Sequence, residues 1–395
     1  MKKLLALLLS LVMVLSFAAC SGEETAKDGD FKIGFIFLHD ENSTYDKNFI
    51  DAALAATEAM GLSADQVMMK KNIPESAECY DAAADLADAG CDVVFADSFG
   101  HEDFIIQAAK EYPDVTFCHA TGTKAHTEKL DNFYNAFASI YEGRYLVGVA
   151  AGLKINEMIA NGDITEAQAK MGYVGAYPYA EVKSGLTSFF LGARSVCPSV
   201  TMDVKFTNSW FDIAAEKETA NALMADGCIL ISQHADSEGA PKACEEAGVP
   251  NVAYNLDTRQ WGPNTALVSS KINWQPYFEH IIDATKNGTE IEQDFCKGLA
   301  DDVVQILGLN DAVAAPGTEA KLEEVKAKLI SGEIKVFDTA AFTVKGETLE
   351  SYKADVDSDE AFEGDTEVVA DGYFHESEYR SAPYFDGDID GITTK

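Results

Sequence analysis

The chain reads as an α/β protein of two doubly wound lobes, each an open parallel sheet covered by helices, and three observations predict this. Residues 31–137 and 171–265 follow one plan. Lys32-Ile33-Gly34-Phe35-Ile36 returns as Lys170-Met171-Gly172-Tyr173-Val174 at an offset of 138, and Ala89-Gly90-Cys91 and Pro113-Asp114-Val115 return as Asp226-Gly227-Cys228 and Pro250-Asn251-Val252 at 137. A constant offset across three apolar runs implies two copies of one architecture. The runs themselves, such as Ile33 to Leu38, Val93 to Ala96 and Val115 to Cys118, are short, rich in β-formers and without clean alternation. That pattern suits strands buried on both faces of a parallel sheet. They alternate with helical patterns, which makes each copy a strand–helix series.

In the first copy the helices are expected over Asn48 to Met60, Ser76 to Ala89 and Asp103 to Tyr112. In the second they are expected over Glu181 to Ser195, Ile213 to Ala225 and Gly239 to Ala247. Leu267 to Lys271 then reads as a strand and Gln275 to Asn287 as a helix. From Thr339 onward Asp and Glu are frequent and strong periodicity is scarce, which predicts short strands and turns wrapping the surface.

Ahead of the first copy, Met1 to Cys20 is basic at Lys2 and Lys3, apolar from Leu4 to Phe17 and small at Ala18 and Ala19. This is the grammar of an export signal, with an apolar run too short to span a bilayer comfortably. The ending Phe17-Ala18-Ala19-Cys20 resembles a bacterial lipoprotein signal, which makes Cys20 the expected lipidation site and first mature residue. Burial contributes about 0.8 kcal/mol per CH₂, so a two-chain glyceride anchors without a membrane-spanning helix. Residues 21–30 are expected to be a flexible linker.

Loss of residues 1–20 removes two lysines and no acid, moving the formal net charge from −36 to −38. So acidic a surface repels nucleic acid, and no nucleic-acid partner is expected. The remaining 375 residues exceed what one core usually holds, in keeping with two lobes. Seven cysteines follow Cys20, without a CxxC pair, so neither a disulfide framework nor a zinc ribbon is indicated. Cys91, Cys118 and Cys228 sit in apolar runs and read as packing residues.

Parallel sheets bind ligands beyond the carboxyl ends of their strands. That rule selects the loops His39 to Asn48, Asp97 to Glu102 and His119 to Thr123 in the first copy. In the second it selects Pro178 to Ala180, Thr207 to Asp212, His234 to Ser237 and Asn255 to Thr258. Rings such as Tyr45, Trp210 and Phe211, beside Asn48, Asp97, Ser98, Asp236, Asn255 and Asp257, equip these loops for a flat, hydroxylated, nitrogen-rich ligand. Rings stack on faces while carboxylates accept from hydroxyl and ring N–H groups.

Several segments together resemble the basic membrane protein family, the purine-nucleoside-receptor-type substrate-binding lipoproteins of ABC transporters. They include Ile73-Pro74-Glu75-Ser76, Ser98-Phe99-Gly100, His119-Ala120-Thr121-Gly122, Ile140 to Leu146, Asn208-Ser209-Trp210-Phe211-Asp212, Gln233 to Ser237 and Tyr254-Asn255-Leu256-Asp257, in family order. The resemblance implies a type I periplasmic-binding-protein fold with three crossovers and a cleft between lobes joined by a hinge. Lobe I would comprise 31–137 plus about 270–305, lobe II 138–269 plus about 306–345, and 346–395 would be the acidic wrapping segment. It further implies a purine held between Tyr45 and either Trp210 or Phe211. Asn48, Asp97, Ser98, Asp236, Asn255, Asp257 and Lys271 would hold base and ribose, with Asp257 and Lys271 at the ribose. The first loop, His39 to Tyr45, lacks the glycines of many relatives. An ABC permease is the implied partner, and no cofactor is implied. A free purine base, a sugar, or ligand sensing for a membrane partner are the alternatives.

Catalysis is not indicated. Cys118 and His119 are adjacent on a strand and point to opposite faces. No helical His pair with an intervening Glu, GxSxG elbow or phosphate-cradling glycine loop occurs. Asp386, Asp388, Asp390 and Gly391 copy half of an EF-hand loop, but position 12 would fall beyond Lys395, so a solvated acidic turn is expected and no metal site.

Overall fold

Strand runs that are apolar on both faces need cover on both sides, and each copy supplies it with its own helices. The computed structural model describes residues 31–357 and 363–395. The export signal, Cys20 and the 21–30 linker lie outside the described residues. The strands are β1 (Ile33–Ile36), β2 (Val67–Lys70), β3 (Val93–Ala96), β4 (Thr116–Ala120), β5 (Phe133–Ala138), β6 (Lys170–Gly175), β7 (Thr201–Phe206), β8 (Leu230–Gln233), β9 (Asn251–Tyr254), β10 (Ala266–Ile272), β11 (Asp294–Lys297) and β12 (Val304–Leu307).

Lobe I is a six-stranded sheet in the order β11-β5-β4-β3-β1-β2, parallel throughout. Lobe II runs β12-β10-β9-β8-β6-β7, with Ile392–Thr394 added in parallel along β7. Within it β12 pairs antiparallel with β10. Strand order reverses direction beside β1 in one sheet and beside β6 in the other, and loops at those switch points face each other.

The chain crosses between the sheets three times: after β5, after β10 and after β11. The helix Gln275–Asn287 therefore covers lobe I, where Phe278 meets Phe35 and Phe95 edge-on at 5.2 and 4.8 Å between ring centroids. Trp274, at the crossing itself, is buried and stacks on Phe49 at 4.4 Å. In lobe II the helices Ile140–Asn161 and Ala180–Val196 touch backbone to backbone. A Cβ on Gly192 would lie 2.0 Å from the Tyr145 carbonyl oxygen, and one on Gly148 2.1 Å from that of Phe189.

Two expectations need correction. The first helix runs Thr44–Ala59, four residues earlier than its apolar period suggests, because Ser43 caps it and Asp46 lies in its first turn. Asn48 is therefore a helix residue and not part of a loop. The segment after Thr339 does more than wrap the surface. Phe374 and Phe385, both buried, pack on each other and on Phe337 at 4.8 to 6.0 Å, forming a small aromatic core. The buried Glu376 carboxylate holds that core by accepting the Ser377, Tyr384 and Phe385 amides.

Candidate functional site

Where β1 ends and the chain turns toward the first helix, the loop amides are met by carboxylates from either side. After β1, Asp46 accepts the His39 amide at 2.7 Å and the Ser43 hydroxyl at 2.6 Å. Asp97, at the end of β3, accepts the Leu38 amide at 3.1 Å, and its own carbonyl receives the Tyr45 hydroxyl at 2.8 Å. Ser98 donates its hydroxyl to Glu75 at 2.6 Å, leaving its lone pairs to accept. Behind them His119 is bonded to the Ser98 carbonyl at 2.6 Å, and burial lowers its pKa to about 4, so the imidazole is a neutral strut.

Lobe II presents a different wall. His234 bridges Glu181 at 3.0 Å and the Tyr173 hydroxyl at 3.3 Å. Beneath them Arg144 is fully buried and donates to the Tyr173 hydroxyl, the Ser232 hydroxyl and the Gln233 and Ala253 carbonyls. Its guanidinium also lies 5.3 to 5.6 Å from the Tyr173, Phe189 and Tyr254 ring centres. Asp236 accepts from the Asn255 amide at 3.4 Å. Asn255, like Asn208 and Thr121, holds a left-handed φ, between 56° and 69°. For the β-branched Thr121 this is a strained conformation at the cleft wall.

The lobes meet here. The Thr44 amide donates to the Asp236 carbonyl at 2.8 Å, and His39 faces the Phe211 ring at 5.5 Å. Between the walls is an inner chamber of about 20 Å³, little more than one water, into which Tyr45, Asp46 and Ser98 of lobe I and Glu181, Trp210 and Asp236 of lobe II project. No Lys or Arg is among the residues that line it. Burial, then the Asp46 charge, raises the Asp97 pKa well above the usual range. Burial, then the Glu216, Asp46 and Glu181 charges, does the same to Asp236. Both shifts favour the neutral acid, which can donate as well as accept. The chamber thus offers aromatic faces, carboxyl groups and a hydroxyl, and suits a planar ligand rich in N–H and O–H groups and poor in negative charge.

Of the ten residues singled out in the sequence, Tyr45, Ser98, Trp210 and Asp236 line this chamber. Asp97 and Asn255 stand directly behind it, each bonded to a lining segment. Phe211 flanks it through His39. Asn48 is turned away, donating to the Ile272 carbonyl at 2.8 Å and so tying the first helix to the second crossing. Asp257 and Lys271 are not among the lining residues. Asp257 accepts the Arg259 amide and holds the Arg259 guanidinium, which pulls its carboxyl below the usual range. Lys271 lies on β10, with Asp51 and Asp302 as the charges acting on it, while burial lowers its pKa. Sequence reasoning missed Asp46, Glu181 and His234. Asp46 was signalled by its place three residues after Ser43.

The remaining candidates have local roles. The seven described cysteines are unpaired thiols, six of them buried. Asp386 accepts the Tyr352 hydroxyl, Asp388 pairs with Lys183 at 2.7 Å, and Asp390 accepts from Thr343 and the Gly346 amide.

The family model described as Bmp, ABC transporter substrate-binding protein PnrA-like, matches residues 36–340. A Brucella abortus protein named a purine-binding protein is 33% identical over 78% of this chain and 83% of its own length. A Haloferax volcanii protein, provisionally named an ABC transporter glucose-binding protein, is 33% identical over 65% of this chain and 61% of its own. Among solved structures, an ABC transporter solute-binding protein of Aeropyrum pernix superposes with a TM-score of 0.66 at 17% identity, covering 78% of this chain and 93% of that one. At that identity the likeness shows the fold alone, two lobes of the type I periplasmic-binding kind.

Proposed function

Because the chain belongs to the Bmp family of PnrA-like ABC transporter substrate-binding proteins, we propose that its cleft takes a purine, as nucleoside or free base, for delivery to a membrane permease. The observation that carries this is the inner chamber, where Tyr45 and Trp210 come from opposite lobes beside Asp46, Asp236 and Ser98. Aromatic faces take the heterocycle, and the carboxyl groups accept its ring and exocyclic N–H groups. The Brucella relative named for purine binding supports the same class. At about 20 Å³ the chamber must widen to admit a ring system, so the Thr44–Asp236 contact has to open and reform. A ligand shifts that balance only by touching both lobes differently in the two forms.

Calorimetry against adenine, hypoxanthine, adenosine, inosine, glucose and ribose tests the assignment. Purine binding that falls at least tenfold in Trp210→Ala is expected, since a stacked ring contributes about 0.5 to 1.5 kcal/mol beyond its buried area. Binding of sugars alone would overturn it in favour of the class named in the Haloferax relative. We further propose that Cys20 carries a lipid anchor on the outer face of the membrane. The intact mass of membrane-extracted protein should show loss of residues 1–19 and an added glyceride, and an unmodified chain beginning at Met1 would refute it.

A further inference from the structure

The chain beyond residue 340 lies outside the family match, and it touches both lobes by attachments that are unlike. On lobe II it is built in. Ile392–Thr394 joins the sheet in register with Met202, Asp203 and Val204, and the Met202 amide donates to the Gly391 carbonyl at 2.9 Å. Arg194 donates to the Asp390 and Ala341 carbonyls at 3.1 and 2.6 Å, with its guanidinium 4.8 Å from the Phe190 ring centre. A Cβ on Gly391 would fall 2.7 Å from that same ring, so the chain passes here in close contact with the helix Ala180–Val196. The Lys183–Asp388 pair, whose carboxylate is exposed, adds little.

Beside the cleft mouth the segment meets lobe I through the Ser381 amide, which donates to Asp294 at 2.8 Å. This joint is poorly satisfied. Residues 381–385 are buried, yet the Ser381 hydroxyl and the second Asp294 oxygen have no hydrogen-bond partner among the described residues. His126 Nδ1, likewise without one, lies 3.6 Å from that oxygen. Buried polar atoms without partners are costly, and parting the joint returns these three to water. What keeps it shut is a charge-assisted bond working against that cost. Between the two attachments the segment is stiffened from within, since Arg380 donates to the Asp355 carbonyl at 2.8 Å and Glu376 gathers three amides. Arg380, Ala382 and Pro383 then stand across the mouth from Phe99, Thr121 and Thr123 of lobe I.

We propose that residues 374–395 are a latch: fixed to lobe II, they travel with it, and the Ser381–Asp294 bond parts whenever the lobes separate. With the bond made, the ligand-free protein is biased toward its closed form. The proposal rests on the opening that the Thr44–Asp236 contact has to undergo, and on no particular ligand.

Hydrogen exchange and small-angle scattering on the ligand-free full chain test it. In wild type the Ser381 amide, at the parting joint, should exchange at least about tenfold faster than the Met202 amide at the fixed one. Equal protection overturns the latch. Asp294→Ala removes the acceptor, so it should speed exchange at Ser381 by about ten- to a hundredfold, leave Met202 within about twofold and enlarge the radius of gyration. Asp294→Asn keeps an acceptor oxygen and should scatter as wild type does. Unchanged scattering in Asp294→Ala means that the bond does not restrain the lobes, and an equal expansion in Asp294→Asn means that charge alone does; either result overturns the latch. If Asp294→Ala does not fold, the wild-type exchange comparison decides. Because no ligand is added, a purine titration that fails leaves these outcomes standing, and a failed latch leaves the purine reading standing.

Discussion

Lobe I and lobe II both bury acids at the cleft, in equivalent loops of a repeated architecture, yet they accommodate the charge in different ways. In lobe I, Asp46 in the first turn of the first helix and Asp97 at the end of β3 take backbone amides as donors, and burial, then the Asp46 charge, drives Asp97 toward the neutral acid. In lobe II, Glu181 is reached by His234, which leads through Tyr173 to a buried arginine. The lobe I arrangement is local, made of residues within one loop and its neighbour. The lobe II arrangement draws on two helices, three strands and a buried cation that donates to hydroxyls and carbonyls. Duplication of a fold thus repeats the places where acids gather and the burial that neutralises one of them in each lobe, while only lobe II adds a histidine, a tyrosine and an arginine behind its second acid.

The strongest way to break this contrast is Arg144→Met. It leaves the Tyr173 and Ser232 hydroxyls and two buried carbonyls without this donor, at about 1 to 3 kcal/mol for each group left unsatisfied, so denaturant unfolding should show a loss of about 3 to 5 kcal/mol. A loss under about 1 kcal/mol would mean the lobe II acids need no cation beneath them.

Glu216 gives the next effect. Burial raises its pKa to about 7, above an ordinary value of 4.5, against the lowering effect of the Ser237 and Asp212 hydrogen bonds. The folded protein therefore holds a proton that the unfolded chain releases, and stability contributed by this group is present below pH 4.5 and is lost as pH rises through 7. Glu216→Gln should flatten the pH dependence of the unfolding midpoint across that window, by about 3 kcal/mol in total. An unchanged slope would show that another acid titrates there.

Asp97→Asn should do least. The fold already favours the uncharged acid, and the amide oxygen can still accept from Leu38, so stability at pH 7 should shift by less than about 1 kcal/mol. A loss of 3 kcal/mol or more would mean that lobe I holds an anion, and the contrast with lobe II would disappear.

The fold was legible because period and offset are local properties: parallel strands announce themselves as unbroken apolar runs, and the 137-residue offset exposed the second copy. The site was legible as loops more than as residues. Asp257 has the right place after β9, but there it pairs with Arg259 two positions on and is not among the residues lining the chamber. Glu181 and His234 are 53 positions apart and meet only because β6 and β8 are neighbours in the sheet. The aromatic core of the C-terminal segment was obscured by the acids around it, since Phe374 and Phe385 recur at no period that local reading detects.

The second crossing bears on how the molecule is made. Phe35 and Phe95 belong to the first strands synthesised, but Phe278, which covers them, follows after the chain has passed through most of lobe II. A nascent chain ending near residue 270 carries every lobe I strand except β11 and lacks the helix that closes over them. Contacts so distant along the chain form slowly, because the intervening loop must be ordered first. Until that helix is made, the face of Phe35 and Phe95 that it covers has no partner, and surface of that kind is prone to capture by a neighbouring chain.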